Sequence, residues 1–191
     1  MYGLVNQGIE TFITEKFGAE TWDKIKEEAG IPVEHFTAIL TYDDAITYDL
    51  VGAISRVLDV DPNEALKLFG EYWPSFAKET AIGRLFDFSG SSFVEFLESL
   101  DDMHDRMIMS LPDLRPPSFE VEHLSDGRYL LHYRSEREGL APMVIGLLHG
   151  LAADFGVMIS VDHSAVKGSG HEHDQFTIEL ASENQESIKA A

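Results

Sequence analysis

Cysteine is absent from this chain of 191 residues. Without a thiol the protein cannot form disulfide bonds, thiolate zinc sites, iron–sulfur clusters or thioether-linked haem, and it has no cysteine nucleophile. Positive charge is also scarce, because 14 Lys and Arg stand against 34 Asp and Glu, giving a formal net charge of −20 at pH 7. Such an excess of negative charge repels phosphate backbones and anionic lipid. We therefore expect neither nucleic acid nor a membrane as a partner.

Long uninterrupted apolar runs are missing as well. The most apolar stretch, residues 140–159, contains His149, Asp154 and several glycines, so it predicts a buried helix followed by a strand. The first 15 residues contain no Lys or Arg, unlike the basic start of a secretory signal. These features lead us to expect a cytoplasmic protein. Its 44% hydrophobic residues suffice for the core of a single domain.

Apolar residues recur at helical spacing in the first half of the chain. This period predicts helices over residues 4–17, 22–29, 44–58, 62–70 and 93–109. Gly18 and Gly70 are expected to stop the first and fourth of them. Asp61 before Pro62, and Ser92 three residues before Glu95, have the spacing of helix N-caps.

After the prolines at 116 and 117 the apolar period changes to two. It predicts strands over residues 119–122, 128–137, 157–161 and 175–180, with one helix over residues 140–155. Helices followed by a helix-bearing antiparallel sheet make an α+β fold. We expect one domain over residues 1–181, helical to about residue 112 and sheet-containing over residues 113–181, with a polar tail at 182–191.

His104 is the first candidate functional residue. It falls on the apolar stripe of the helix predicted over residues 93–109, whereas Asp101, Asp102 and Asp105 lie mostly off that stripe. An imidazole that has lost its water needs a partner, either a hydrogen bond or a metal ion. A core histidine bonded to a backbone carbonyl is the commoner arrangement, so position alone leaves both interpretations open.

Tyr133, Ser135 and Arg137 form the second candidate group. Their spacing of two on a predicted strand would project all three side chains from one sheet face. A phenol, a hydroxyl and a guanidinium in a row suit a ligand that carries carboxylates, because arginine grips a carboxylate with two parallel hydrogen bonds. A solvated outer face of the sheet is the alternative.

Together, the two groups supply what a non-covalent haem requires: an axial ligand, a propionate anchor and an apolar slot. Several runs stand in the order of a known family: residues 1–6, 42–51, 69–70, 100–104, 115–119 and 133–140. On these residues the chain resembles the haem nitric-oxide/oxygen-binding (H-NOX) family, especially the sensor domain of soluble guanylate cyclase and its cyanobacterial relatives. The resemblance extends from Met1 to about Leu180.

The resemblance implies a role for each matching residue. The two parts of the fold would enclose a haem b, and His104 would ligate its iron. The Y-x-S-x-R motif ending at Arg137 would hold the haem propionates. Pro117 would press on the porphyrin and distort it, and Asp101 would influence the helix that carries His104.

The gas-binding side of the haem would be formed by Leu4, Val5, Ile9, Trp73 and Met143, according to the same resemblance. Oxygen-binding members of the family carry a hydrogen-bonding tyrosine on the last helix, and that place is Met143 here. Methionine cannot donate a hydrogen bond. The resemblance therefore implies a sensor of nitric oxide that also binds carbon monoxide and disfavours dioxygen. An oxygen sensor that uses the Trp73 indole N–H as donor is an alternative.

Signalling would depend on the bond between iron and His104, which nitric oxide weakens or breaks. The helix that carries His104 would then lose its tether, giving a two-state switch. The sequence contains no catalytic domain, so we do not expect an enzyme. A downstream protein, of the histidine kinase or cyclase type, would read the signal.

Three rival interpretations remain. A peroxidase-type haem enzyme is one, although no distal His or Arg acid–base pair is evident. A metalloenzyme is another, built on Asp162, His163, His171, Glu172, His173 and Asp174. A polar hairpin loop explains this histidine-rich segment better, because structural zinc prefers four closed ligands. A cofactor-free interaction domain is the third.

Overall fold

A computed structural model describes residues 1–181, and the tail expected at residues 182–191 lies outside them. The described part contains eight helices and four strands, in this order: α1 (Gly3–Phe17), α2 (Ala19–Glu28), α3 (Asp44–Leu58), α4 (Pro62–Lys78), α5 (Gly83–Phe86), α6 (Phe93–Glu98), α7 (Leu100–Ser110), β1 (Ser118–His123), β2 (Tyr129–Arg134), α8 (Ala141–Asp154), β3 (Ile159–Ala165) and β4 (Asp174–Leu180). Helices followed by a helix-bearing sheet confirm the predicted α+β class.

Short polar side chains fix the starts of the helices as predicted. The Asp61 carboxylate accepts a hydrogen bond from the backbone N–H of Asn63 at 2.8 Å, and Pro62 begins α4. Asp43 caps α3 in the same way. The Ser92 hydroxyl accepts from the Glu95 N–H at the start of α6. Each cap satisfies a backbone donor that the first helical turn leaves free.

The predicted end of α4 at Gly70 is wrong, because the helix continues through Gly70 to Lys78. Gly70 lies where α4 crosses α8, and a Cβ atom there would overlap the backbone of Met143. Gly146 makes the reciprocal approach from α8, against the carbonyl of Lys67. Glycine at these positions allows two helices to pack unusually closely instead of ending one of them.

The single helix predicted over residues 93–109 is two helices, α6 and α7, which meet at Ser99. The Ser99 hydroxyl donates to the carbonyl oxygens of Phe96 and Ser89 at 2.8 and 2.9 Å. A serine hydroxyl that bonds the preceding turn competes with the helical ladder and bends it. The break sets the direction of α7 independently of α6.

The four strands form one antiparallel sheet in the order β1-β2-β4-β3. Strand β2 ends at Arg134 and not at residue 137 as predicted. Strand β3 covers residues 159–165, later than predicted, with an irregularity between His163 and Ala165. One face of the sheet packs on α6 and α8 through Leu131, Phe176 and Ile178, all fully buried.

A second core joins α1 to α4, and a small third cluster of Tyr2, Leu4, Met107 and Leu114 lies between the two. An isolated antiparallel β-bridge pairs Tyr2 with Thr41 and so fixes the start of the chain at this third cluster. Over residues 1–181, no helix has the length and apolar character needed to span a bilayer.

Candidate functional site

A cavity lies where the start of α1, helices α4, α7 and α8 and the end of β2 meet. Its wall is mostly apolar. The empty space within it, including the part that is open to solvent, is about 1130 Å³. Nine of the residues singled out in the sequence line it: Leu4, Val5, Trp73, His104, Pro117, Tyr133, Ser135, Arg137 and Met143. The fold thus brings together residues that are spread along the chain from Leu4 to Met143.

The imidazole of His104 lies on the wall of this cavity, with its ring centroid 5.9 Å from that of Phe119. Its Nδ1 atom is buried and has no hydrogen-bond partner within residues 1–181. Burial lowers the pKa of the ring, against the opposing effects of the Asp101 charge and the Pro117 carbonyl. The ring is therefore neutral at pH 7, which is the form in which imidazole binds metal ions.

Asp101 lies outside the lining of this cavity, one helical turn before His104. Its carboxylate accepts hydrogen bonds from the Ser118 hydroxyl at 2.9 Å and from the Phe119 backbone N–H at 2.7 Å. These bonds join α7 to the first residues of β1. The helix that carries His104 is thereby tied to an edge strand of the sheet.

The three residues of the Y-x-S-x-R motif do not share one sheet face, because strand pairing ends at Arg134. Tyr133 is buried on β2, and Ser135 and Arg137 belong to the following turn. In that turn the Ser135 hydroxyl accepts a hydrogen bond from the Arg137 N–H at 3.0 Å. The Lys167 ammonium also donates to the Ser135 carbonyl at 2.9 Å. The end of β2 and the following turn therefore bring all three residues to the cavity, although they do not share a sheet face as predicted.

Arg137 is held by groups that the sequence analysis did not connect with it. Its Nε donates to Asp44 at 2.9 Å and its Nη1 donates to the Arg115 carbonyl at 2.8 Å. Asp44 also accepts from the amino group of Met1. A guanidinium has five N–H donors, so donors remain for a further carboxylate. Asp44 looks like an ordinary helix start in the sequence, and no local pattern relates it to a residue 93 positions away.

The ion pair between Asp44 and Arg137 predicts a dependence of stability on pH. Burial raises the pKa of Asp44, but hydrogen bonds from the Met1 amine and Arg137 outweigh it and hold this pKa below the ordinary value. Because its pKa is lower in the folded state, the Asp44 carboxylate stabilises the fold at pH values above its unfolded pKa of about 4. This stabilisation is lost as the pH falls from there through the lowered pKa. We expect Asp44→Asn to lower the free energy of unfolding at pH 7.

The difference between Asp44→Asn and the wild type should shrink as the pH falls from about 4 towards 2. Urea denaturation at each pH measures it. Asp43→Asn is the matched control, because asparagine also caps helices and Asp43 makes no bond to Arg137. An equal loss in the two variants at pH 7 would contradict the assigned role of Asp44.

Leu4 and Val5 of α1, Trp73 of α4 and Met143 of α8 also line the cavity. The Trp73 ring packs against Phe69 and Phe76, with centroids 5.8 and 5.7 Å apart. Ile9, which was expected on this wall, is absent from the cavity lining and is buried in the core of α1 to α4. It lies one helical turn beyond Val5, in the buried cluster that α1 forms with α2, α3 and α4.

The histidine-rich segment does not form one cluster. His163 Nε2 lies 2.9 Å from Asp174, His173 lies beside His132 on β2, and His171 is exposed. Within the described residues, no three His, Cys, Asp or Glu side chains are arranged to hold a metal ion.

A haem matches the chemistry of the cavity. His104 supplies a neutral imidazole with an unused buried nitrogen, and the wall is mostly apolar. Arg137, with the Tyr133 and Ser135 hydroxyls, supplies donors for carboxylates. Burial raises the pKa of Tyr133, so its hydroxyl keeps the proton that it would donate. These are the three features that non-covalent haem binding demands.

The fold and the chemistry of the cavity fit a haem-binding domain. A family model described as Haem-NO-binding matches residues 2–163, and the chain belongs to this H-NOX family of haem-based gas sensors. H-NOX domains bind haem, and the family domain is a sensor domain rather than a catalytic one.

The chain is similar to several guanylate cyclases. It is 30% identical to "Soluble guanylate cyclase gcy-31" of Caenorhabditis elegans over 154 residues, which cover 81% of this chain and 22% of that protein. It is 42% identical to "Guanylate cyclase soluble subunit beta-2" of Rattus norvegicus over 90 residues, 47% of this chain and 13% of that protein. The chain therefore spans about a fifth, or less, of the length of these curated relatives.

Solved structures share the fold. The H-NOX protein from S. oneidensis in the Fe(II)NO ligation state superposes with a TM-score of 0.84 at 19% identity, covering 95% of this chain and all of that one. The Fe(II) unliganded H-NOX protein from K. algicida gives a TM-score of 0.77 at 23% identity, covering 96% of this chain and 98% of that one.

Proposed function

We propose that residues 1–181 form a single haem domain that senses nitric oxide, with His104 as the ligand of the iron of a non-covalent haem b. The observation that carries this proposal is the neutral His104 ring, which has a buried nitrogen without a partner on the wall of an apolar cavity. When bound, the haem would supply an iron that binds a diatomic gas.

Residues of the chain would fix the cofactor in place. Arg137, Ser135 and Tyr133 would hold the propionates, and Asp44 orients the Arg137 guanidinium for that purpose. Pro117, which lines the cavity near His104, would press on the porphyrin. Because Asp44 lies on α3 and Arg137 follows β2, this anchor would connect the helical part of the domain with the sheet.

Gas selectivity would be set by the wall formed by Leu4, Val5, Trp73 and Met143. Three of these side chains cannot donate a hydrogen bond. Bound dioxygen is polarised and gains from a donor, whereas nitric oxide needs little such help. The wall therefore favours nitric oxide, with carbon monoxide as a further ligand, over dioxygen.

The signal would leave the cavity through α7. His104 would restrain this helix while its ring holds a bound haem, and release of the ring would remove that restraint. The bonds of Asp101 to Ser118 and Phe119 would then carry a movement of α7 to β1. A downstream protein of the histidine kinase or cyclase type would read the two positions of α7.

An oxygen sensor that uses Trp73 is the second candidate, because the indole lies on the same wall and carries an N–H group. Its aromatic contacts with Phe69 and Phe76 favour a packing role instead. The two functions differ in which side chain controls the dioxygen affinity of the haem-loaded protein.

Met143→Tyr is expected to raise the dioxygen affinity about fivefold or more, because it adds a hydroxyl donor worth about 1 kcal/mol net. The nitric oxide affinity should change much less. Trp73→Phe, the matched variant that removes the indole donor, should leave the dioxygen affinity unchanged. Spectroscopic titration of the ferrous proteins with each gas measures both. A fall in dioxygen affinity in Trp73→Phe would instead assign the site to the oxygen sensor.

A further inference from the structure

Two sets of contacts hold the turn that follows β2. From α3, the Asp44 carboxylate accepts a hydrogen bond from Arg137 Nε at 2.9 Å. From the connection between β3 and β4, the Lys167 ammonium donates to the Ser135 carbonyl at 2.9 Å. Lys167 is absent from the cavity lining, whereas Ser135 and Arg137 belong to it. Donors that face the cavity are therefore held by a lysine outside it.

The backbone of Lys167 is itself fixed on the sheet. Its N–H donates to Asp174 Oδ1 at 3.0 Å, and Asp174 is paired with Tyr133 across strands β4 and β2. The same carboxylate oxygen lies 2.9 Å from His163 Nε2 on β3. Lys167 therefore joins Ser135 to the strand that pairs with Tyr133.

The segment between β3 and β4, residues 166–173, folds back on itself. The Gly168 N–H donates to the His171 carbonyl at 3.0 Å, and an isolated bridge pairs Lys167 with His171. Gly168 has a φ of 85°, which glycine adopts without strain. Because the backbone is already ordered, only the Lys167 side chain has to be immobilised when it bonds to Ser135, and the entropy cost is correspondingly small.

The Lys167 ammonium also brings charge to the turn. Among residues 1–181, no carboxylate oxygen lies within 4.0 Å of its Nζ, whereas the Lys78 ammonium is paired with Asp154 at 2.7 Å. Arg137 shares its own charge with Asp44. A chain with a net charge of −20 repels a ligand that carries carboxylates, and a cation at the turn offsets part of this repulsion.

We propose that Lys167 is a positioning residue for the carboxylate-binding turn, an inference that rests on the proposed haem site. Its bond to the Ser135 carbonyl fixes the backbone that leads to Arg137. The hydroxyl and guanidinium donors are thereby ordered before a ligand carboxylate reaches them. Donors that need no reordering bind more tightly, because the ligand does not have to supply the cost of ordering them.

Haem transfer to apomyoglobin tests this role. Lys167→Met keeps an unbranched side chain but removes its donors and charge, so haem loss should become about fivefold faster or more. Lys167→Arg keeps a cationic donor and should restore a rate close to that of the wild type. Lys78→Met is the matched control, because it removes the lysine of an ion pair away from the cavity lining, and it should lose haem like the wild type.

Haem dimethyl ester, in which both propionates are methylated, separates positioning from a general loss of structure. The ester presents no carboxylate to the turn, so Lys167→Met should leave its rate of loss unchanged. A merely structural defect would accelerate the loss of both cofactors.

Hydrogen exchange of the haem-free protein, followed by nuclear magnetic resonance, gives a readout that does not depend on the cofactor. The Arg137 N–H, which donates to Ser135 Oγ at 3.0 Å, should exchange faster in Lys167→Met than in the wild type. Lys167→Arg should restore the slow exchange.

Three results would overturn the role of Lys167 while leaving the haem site intact. They are equal haem loss from Lys167→Met and the wild type, equal acceleration for haem and its ester, and unchanged exchange of the Arg137 N–H. Failure of the wild type to bind haem would instead overturn the proposed function and this inference together.

Discussion

His104→Gly is expected to abolish stable haem retention, and added imidazole is expected to restore it. The substitution removes the only metal-binding nitrogen that we assign to the iron and leaves a ring-sized space beside Phe119. Mutation of a residue that only hydrogen-bonds to a metal ligand typically lowers the metal affinity about 10- to 100-fold. Loss of the ligand itself should therefore lower the haem affinity further. Free imidazole can enter the vacated space and take over the bond.

Haem transfer to an excess of apomyoglobin measures retention with and without imidazole. Met109→Gly is the matched control, since it places a glycine on the same helix at a side chain that is 84% exposed. It introduces a helical glycine, at a cost of up to about 1 kcal/mol, without touching the cavity. If His104→Gly retained haem like Met109→Gly and kept its spectrum, His104 would not be the ligand.

Gly146→Ala is expected to lower the free energy of unfolding by about 3 kcal/mol, at the upper end of the usual cost of overpacking. The new methyl group would overlap the backbone carbonyl of Lys67, and a backbone group cannot rotate away as a side chain does. Helices α4 and α8 would have to separate, which also displaces Trp73 and Met143 on the cavity wall. We therefore expect faster haem loss together with the lower stability.

Gly52→Ala is the control for this prediction. Gly52 lies inside α3, and a methyl group there would meet only the mobile end of the Arg56 side chain. Alanine in place of a helical glycine should stabilise the fold by about 0.5–1 kcal/mol. Chemical denaturation of both variants measures the difference. An unchanged midpoint in Gly146→Ala would show that α4 and α8 are not in tight contact.

Local signals explain why most elements could be predicted from the sequence. Asp61 and Ser92 cap helices through bonds to residues two or three positions away, so their spacing is visible in the sequence. The apolar periods likewise depend on neighbours along one helix or strand. His104 stood out as a candidate because its polar ring interrupts an apolar stripe.

Contacts between distant segments explain what the sequence did not reveal. In the sequence Gly70 looks like the end of a helix, whereas in the fold it is where α8 packs closely against α4. Asp44 supports Arg137 across 93 positions, and the Ser99 hydroxyl reaches the carbonyl of Ser89. In each case the chain neighbours suggest an ordinary role, and the function depends on a partner that only the fold provides.

The absorption spectrum of the ferrous protein, recorded under argon, after air and after nitric oxide, tests the central claim most directly. The account predicts a five-coordinate ferrous Soret band that does not change in air and shifts on addition of nitric oxide. A stable shift in air would contradict nitric oxide selectivity and favour Trp73 as a donor. Failure of the protein to take up haem would contradict the assignment of the cavity altogether.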